Sequence, residues 1–366
     1  MTSTLSGSVP ATVRTYVELT KPRIVELLLV TTIPAMAVAA DGWPGLGLVI
    51  AALVGGTLSA GGANVINQVY DDDIDRLMRR TEGRPLPTDR VSRVGATVFG
   101  IALGVAGFAV LAIWTTLLAG ILSVVAYLTY VFVYTMLLKR TSTQNIVLGG
   151  AAGAVPPLIG WAAVTGDLAF AAWVMFATVF FWTPPHFWAL SLKYEDDYRA
   201  AGVPMLSVVA GEQRTLEQIL WYSLPAVGVS LFLVPAAGMG WIYALVAVIA
   251  GVGLVAFAVR LRSDRALAMR YFGFTNVYLA SVFLAMLVDR VVLDDGIGGG
   301  TAWVLVGTAL VAVGMLLAVA TERHPEMRAP GVGPLRHVVE VGITVAIAAA
   351  IVVGAWATVL GDGVSI

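Results

Sequence analysis

The stretch Asn64–Arg76, NVINQVYDDDIDR, carries the residues of this chain best suited to do chemistry. Asn67, Asp71 and Asp75 recur at every fourth position. On a helix they fall within about 80° of one another and form one polar stripe, while Asp72 and Asp73 point elsewhere. Carboxylates gathered this closely repel one another and need cations. Oxygen donors at this density suit Mg2+, which keeps open positions for phosphate oxygens. The stripe therefore predicts a metal-bridged diphosphate site with Asn67, Asp71 and Asp75 as metal ligands. Arg76, Arg79, Arg80 and Arg84 lie close enough in sequence to take the remaining phosphate charge. The alternative is that the acids merely end a membrane helix in water, and the four-residue register argues against it.

A second cluster lies in FFWTPPHFWALSLKYEDDYRAAGVPML, Phe180–Leu206. Pro184–Pro185 predicts a break in the helix, followed by His186 where the chain opens toward a cavity. Lys193 follows two helical turns later on the same face, then Asp196, Asp197 and Tyr198. A lone histidine near a membrane interface is ordinarily structural. A histidine, a lysine and an aspartate pair gathered opposite a carboxylate stripe read instead as a second half of the site. The aromatic residues Phe180, Phe181, Trp182, Phe187, Trp188 and Tyr194 offer π faces for a cation or, alternatively, an interfacial belt.

The elements that must position these residues are membrane helices. The chain has 366 residues, 58% hydrophobic and 12% charged, and a mean hydropathy of +0.87, far from the quarter or so charged that is usual in soluble domains. Spans of roughly 20 apolar residues are predicted at 24–40, 46–63, 94–113, 117–138, 146–164, 168–192, 219–237, 241–259, 272–288, 302–320 and 338–360. The runs are long and unbroken, which predicts helices rather than a barrel. With the N-terminus inside, all of the 22 Lys and Arg except Arg290 fall in inside loops, so the bias of basic residues sets the orientation and predicts an external C-terminus. The first residues lack the apolar core of a secretory signal and the arginines of a transit peptide. The absence of Cys excludes thiolate chemistry. Glycines in Gly55–Gly62 and Gly149–Gly160 lie inside spans and predict close helix packing rather than phosphate loops. Pro156–Pro157 predicts a kink.

Four stretches together resemble the UbiA superfamily of intramembrane prenyltransferases and, within it, the branch that farnesylates protohaem. They are YVELTKPR (Tyr16–Arg23), NQVYDDDIDRLMRRTEGRPLP (Asn67–Pro87), YTMLLKRTSTQNIVLGGAAGAVPPLIGW (Tyr134–Trp161) and WTPPHFWALSLKYEDDYRAAGVPML (Trp182–Leu206). The resemblance implies an all-α, polytopic transmembrane bundle with nine core helices, to which this chain adds two C-terminal spans. Residues 1–15 are then a disordered cytoplasmic tail, 16–292 the prenyltransferase domain and 293–366 an extension whose hydrophobic segments are expected to carry no polar cluster.

The same resemblance assigns roles. Asn67, Asp71 and Asp75 match the first Mg2+–diphosphate motif and, with Lys193, are the implied catalytic residues. Lys139 and Arg140 match a basic pair that contacts diphosphate, and Lys21 and Arg23 a motif facing the same cavity. Arg76, Arg84, His186, Asp196, Asp197 and Tyr198 complete the implied substrate contacts. The superfamily's second Asp-x-x-x-Asp motif is replaced here by the His-Phe-Trp…Lys…Asp-Tyr form of the haem branch, which leaves a second metal site open and favours haem b as acceptor. His186 is expected at the haem end, on iron or a propionate, or else on diphosphate; Lys193 is expected on diphosphate. The implied reaction joins the farnesyl group of farnesyl diphosphate to a vinyl group of haem b, giving haem O, with Mg2+ as cofactor and haem b as substrate. Expected partners are these two substrates and membrane lipid, with haem A synthase or an oxidase assembly protein open for the extension; nucleic acid is not expected. The alternatives are prenylation of an aromatic quinone precursor, or a haem or lipid transporter, which would show polar groups on both sides of the membrane.

Overall fold

The computed structural model describes residues 11–293 and 300–361, without the side chains of residues 11, 23–29 and 293. Every apolar run forms helix, because in lipid each backbone N–H and C=O must be satisfied within its own segment, and the described residues include no strand. A short α1 (Ala11–Leu19) precedes α2 (Pro22–Ala39), α3 (Leu46–Asp75) and α4 (Arg93–Trp114). Next come α5 (Leu117–Leu128), continued as a π-helix over Thr129–Leu138, and one broken span made of α6 (Asn145–Ala154) and α7 (Pro156–Thr165). The long α8 (Phe170–Lys193) leads through α9 (Glu195–Ala200) and α10 (Leu206–Val209) into α11 (Gly211–Leu231) with its coda α12 (Leu233–Ala236). The chain finishes with α13 (Trp241–Ser263), α14 (Ala268–Val288), α15 (Gly300–Glu322) and α16 (Pro334–Gly361).

Counted as passes, these helices reproduce the predicted spans. Nine of them, among the described residues, are long and apolar enough to cross a membrane. The other two are α2, only partly described, and α8, whose Trp173, Trp182, Pro184, Pro185, His186 and Trp188 lower its hydropathy. Boundaries follow local chemistry. Ser92 Oγ caps α4 at Gly95 N, 3.0 Å, Thr116 Oγ1 caps α5 at Ala119 N, 3.2 Å, and Gly166, with φ 72°, ends α7.

Three expectations need correction. The tail expected to be disordered over 1–15 is helical from Ala11; residues 1–10 lie outside the described residues. Pro184–Pro185 does not break α8, which runs through both prolines to Lys193; packed neighbours and hydroxyls such as Thr183 Oγ1, bonded to Val179 O at 2.8 Å, let a buried membrane helix tolerate them. Pro156 does mark a break, at the first position of α7. The third correction concerns the C-terminal helices. Glu322, His337 and Glu340 are buried there at 5%, 4% and 5% exposure, so the extension does carry a polar cluster.

Glycines bring the backbones together as expected. A Cβ on Gly62 of α3 would meet Gly100 O of α4 at 2.5 Å, and one on Gly107 would meet Gly55 O at 2.7 Å. On the far side of the bundle, a Cβ on Gly228 of α11 would lie 2.6 Å from Gly307 O of α15. The extension is thus seated on the core as closely as the core helices are on one another. One end of the bundle gathers the end of α3 and the loops after α3, α5, α8 and α15. At the other end, Arg290 pairs with Asp41 at 2.6 Å.

Candidate active site

The last turns of α3 carry the stripe. Asn67, Asp71 and Asp75 are 3%, 0% and 2% exposed, so carboxylates that would be costly to bury alone must have partners. They have four. Arg84 Nη1 donates to Asp75 Oδ2 at 2.6 Å. Lys139 Nζ donates to Asp71 Oδ2, and Arg140 Nη2 lies 3.5 Å from Asp71 Oδ1. Lys21 Nζ donates to Asn67 Oδ1 at 2.8 Å. The Asn67 amide is thereby oriented, since its Nδ2 donates to Asp71 Oδ2 at 2.7 Å and to Thr135 Oγ1 at 3.1 Å.

Lys21 reaches the stripe at some cost. It stands before α2 with φ 53° and ψ 62°, left-handed dihedrals that are rare for a residue with a side chain and further disfavoured before proline. Strain of this kind, of order 1 kcal/mol, persists where the surroundings fix it. Loss of hydration holds the Lys21 ammonium well below the ordinary lysine range; Arg84 and Lys139 push the same way, and Asp75 and Asp71 oppose them. Such a cation gains by receiving an anion.

The pair after α5 is delivered by the π-helix Thr129–Leu138, a widened turn of the sort that often marks functional positions. Arg140 grips Asp73 through Nη1 and Nη2, both at 2.7 Å, and stacks on Tyr70 with 4.8 Å to the ring centroid. Its Nε is buried with no acceptor among the described residues, a donor left over for an anionic ligand. Asp73 is therefore a holder of Arg140 rather than a bystander. The same π-helix brings Tyr130 and Tyr134, stacked at 5.3 Å, beside the stripe, with Tyr130 Oη 3.4 Å from Asn64 Oδ1. Thr135, Tyr130 and Tyr134 were not among the residues expected at the site; the π-helix turns them toward α3.

The second cluster divides in two. Lys193, Tyr194, Asp196 and Asp197 line a pocket of about 370 Å3 together with Arg79 and Arg80. Arg80 joins the two loops. Its backbone N–H lies 3.4 Å from Asp197 Oδ2, its Nη2 donates to Tyr198 Oη at 3.4 Å, and its guanidinium lies 5.6 Å from the Tyr194 ring centroid. Arg76 is turned the other way, to Asp72 at 3.2 Å, Asp89 at 2.8 Å and Leu86 O at 3.1 Å. It braces the loop after α3 and holds the Asp89 carboxyl below its usual range. The Arg23 side chain lies outside the described residues.

His186 is set apart from both groups. Its ring is stacked between Trp182 and Phe272, at 4.3 and 4.2 Å. Its Nδ1 lies 2.7 Å from Thr275 Oγ1, and that hydroxyl already donates to Phe272 O at 2.7 Å. The Thr275 oxygen must then accept, which puts the imidazole proton on Nδ1 and the lone pair on Nε2. Of the aromatic residues expected around this motif, Phe180, Phe181, Trp182 and Trp188 are core packing, each at most 2% exposed; burial excludes a belt role for them.

Asn67, Asp71 and Asp75 supply hard oxygen donors along one buried face, a set that fits Mg2+. Cations ring the same face, so metal on the carboxylates would free Lys139 and Arg84 for phosphate oxygens. A buried acidic stripe ringed by cations at the mouth of a membrane bundle is the arrangement of a prenyl-diphosphate enzyme. The sequence pattern of the UbiA prenyltransferase family matches residues 28–278, and the chain belongs to that family. Protoheme IX farnesyltransferase 1 of Saccharopolyspora erythraea is 52% identical over 282 residues, 76% of this chain and 90% of that one. The Protoheme IX farnesyltransferase of Gloeobacter violaceus is 50% identical over 286 residues, 77% of this chain and 94% of that one. Among solved structures, digeranylgeranylglyceryl phosphate synthase superposes with a TM-score of 0.65 at 18% identity, over 77% of this chain and 99% of that one. A UbiA homologue from Archaeoglobus fulgidus bound to DMAPP and Mg2+ gives 0.51 at 15%, over 75% and 99%. At these identities the structural likeness establishes the fold.

Proposed function

We propose that this protein transfers the farnesyl group of farnesyl diphosphate to a vinyl group of haem b, giving haem O. The observation that carries the diphosphate half is the buried stripe Asn67–Asp71–Asp75 under Lys21, Arg84, Lys139 and Arg140. The acceptor follows from relatives half identical over nearly their whole length.

Asn67, Asp71 and Asp75 would hold Mg2+, which when bound neutralises diphosphate charge as the leaving group departs. Around it, Lys21, Arg84, Lys139 and the free Nε of Arg140 bind the diphosphate oxygens and take up the charge that develops on them. Lys193, Arg79 and Arg80 extend this positive rim to the pocket between the loops. The allylic C–O bond breaks with its electron pair leaving on diphosphate. Tyr130 and Tyr134 present π faces to the farnesyl cation, and the apolar bundle keeps water from it. The vinyl π pair of haem b forms the new C–C bond; water then adds to the resulting cation and loses a proton, leaving the hydroxyl. His186 belongs to the haem end, with Nδ1–H fixed on Thr275 and Nε2 carrying a lone pair suited to iron.

The site lies at the cytoplasmic end of a multi-pass protein of the cell membrane, with the N-terminus inside. Single Cys residues placed at Arg84, Lys139 and Val332 are expected to label from the cytoplasm and one at Trp43 from outside; the reverse pattern contradicts this orientation. The reaction is tested by extracting haem from membranes with and without the protein: a haem heavier by one farnesyl group plus one hydroxyl is expected only with it.

A further inference from the structure

The four residues after Lys139–Arg140 are all bound by α15, α16 and the loop between them. Thr141 Oγ1 accepts from Arg336 Nη2 at 2.8 Å. Ser142 Oγ donates to a carboxylate oxygen of Glu340. Thr143 Oγ1 donates to Met327 O at 2.6 Å, and Gln144 Nε2 to Glu322 Oε1 at 2.9 Å. The other oxygen of Glu340 accepts from Arg336 Nε at 2.9 Å. Glu322 also accepts from Gln218 Nε2 at 3.3 Å and faces His337 Nε2 at 3.1 Å. Asn145 closes the loop back onto the basic pair, with its Nδ2 3.4 Å from Lys139 O.

Buried charges hold a geometry because each must keep its partner. Here they grip the segment whose first two residues reach the stripe. The extension lies beyond the family match at residue 278, yet it is tied to the diphosphate-binding loop at four consecutive residues. Helix α15 is in turn anchored to α11 through Gly228 and Gly307, so the clamp stands on a rigid base.

We propose that residues 300–361 act as a clamp that sets Lys139 and Arg140 over the diphosphate, with Glu322, Arg336 and Glu340 as positioning residues. The proposal rests on the diphosphate reading of the site and adds a role for helices that this reading leaves idle. A clamp of this kind affects one substrate and not the other, whereas a purely structural role affects both.

The test uses the full chain in detergent with Mg2+. Calorimetry measures inorganic pyrophosphate binding, and steady-state rates give KM for farnesyl diphosphate and for haem b separately. Glu340→Ala is expected to weaken pyrophosphate binding and to raise the KM of farnesyl diphosphate about tenfold, the effect of displacing one charge-assisted hydrogen bond, with the KM of haem b unchanged. Glu340→Gln, which still accepts from Ser142, recovers most of the loss. Should Glu340→Ala not accumulate in membranes, Arg336→Ala and Thr141→Val at the half-exposed rim are expected to give the same one-sided effect, smaller in size. Wild-type protein that binds no pyrophosphate overturns the reading of the site itself. Wild-type protein that binds, with variants that bind equally well or lose both substrates in parallel, overturns the clamp.

Discussion

Lys21 Nζ and Asn67 Oδ1 stand 2.8 Å apart, tying the start of α2 to the stripe on α3. The bond draws a strained backbone into the site and fixes which way the Asn67 amide faces. Lys21→Met removes both the cation and the constraint. Its expected effect is a rise of about tenfold or more in the KM of farnesyl diphosphate, the scale of one charge-assisted contact, with haem affinity unchanged. Steady-state kinetics with each substrate varied in turn measures it; an unchanged KM removes Lys21 from the site.

Asp71→Asn and Asp75→Asn should each lower turnover by about a hundredfold or more, the scale seen when one group stabilising a developing charge is lost. EDTA should abolish the activity and Mg2+ should restore it. Asp72→Asn touches only the brace with Arg76 and should be mild. Asp73→Asn should fall between, because it releases Arg140. Initial rates on the four variants give the ranking, and equal losses at Asp72 and Asp71 would contradict it.

Arg80 and Arg76 are four residues apart and face opposite ways. Arg80→Ala removes the side-chain contacts of the loop after α3 to Tyr194 and Tyr198, leaving the backbone bond to Asp197, and should raise the KM of farnesyl diphosphate. Arg76→Ala removes contacts to Asp72 and Asp89 and should lower the thermal midpoint with little change in KM. Melting curves and kinetics on the two proteins separate these outcomes, and a large KM change confined to Arg76→Ala would reverse the assignment.

His186→Ala should weaken haem b binding and alter the haem absorption band while sparing pyrophosphate binding. Thr275→Val should produce a smaller change in the same direction, because it removes the acceptor that keeps the proton on Nδ1. Normal haem binding by His186→Ala with loss of pyrophosphate binding would place the histidine at the wrong end of the site.

The bundle and its first polar stripe were legible because both follow from spacing. Apolar runs near twenty residues read as helices, and Asn67, Asp71 and Asp75 share a face on any helix. The family motifs singled out Lys21, Lys139 and Arg140, and the structure brings all three beside the stripe. What stayed hidden depends on tertiary packing. No local pattern distinguishes Arg76 from Arg80, since the loop that turns them apart is irregular. A Pro-Pro pair reads as a break until neighbouring helices enclose it. Glu322 and Glu340 sit at the ends of apolar segments where acids ordinarily meet water, and only the docking of α15 and α16 against Ser142 and Gln144 shows them buried. Tyr130 and Tyr134 look like any lipid-facing aromatics until the π-helix turns them beside α3.

The most direct measurement is the product itself. Purified protein in detergent is incubated with farnesyl diphosphate, haem b and Mg2+, with an aromatic quinone precursor offered as a competing acceptor, and all products are weighed by mass spectrometry. The account predicts a haem carrying one farnesyl group plus one hydroxyl, formed by the wild type and absent with Asp71→Asn, and no prenylated aromatic. A prenylated aromatic with haem b unchanged would contradict it.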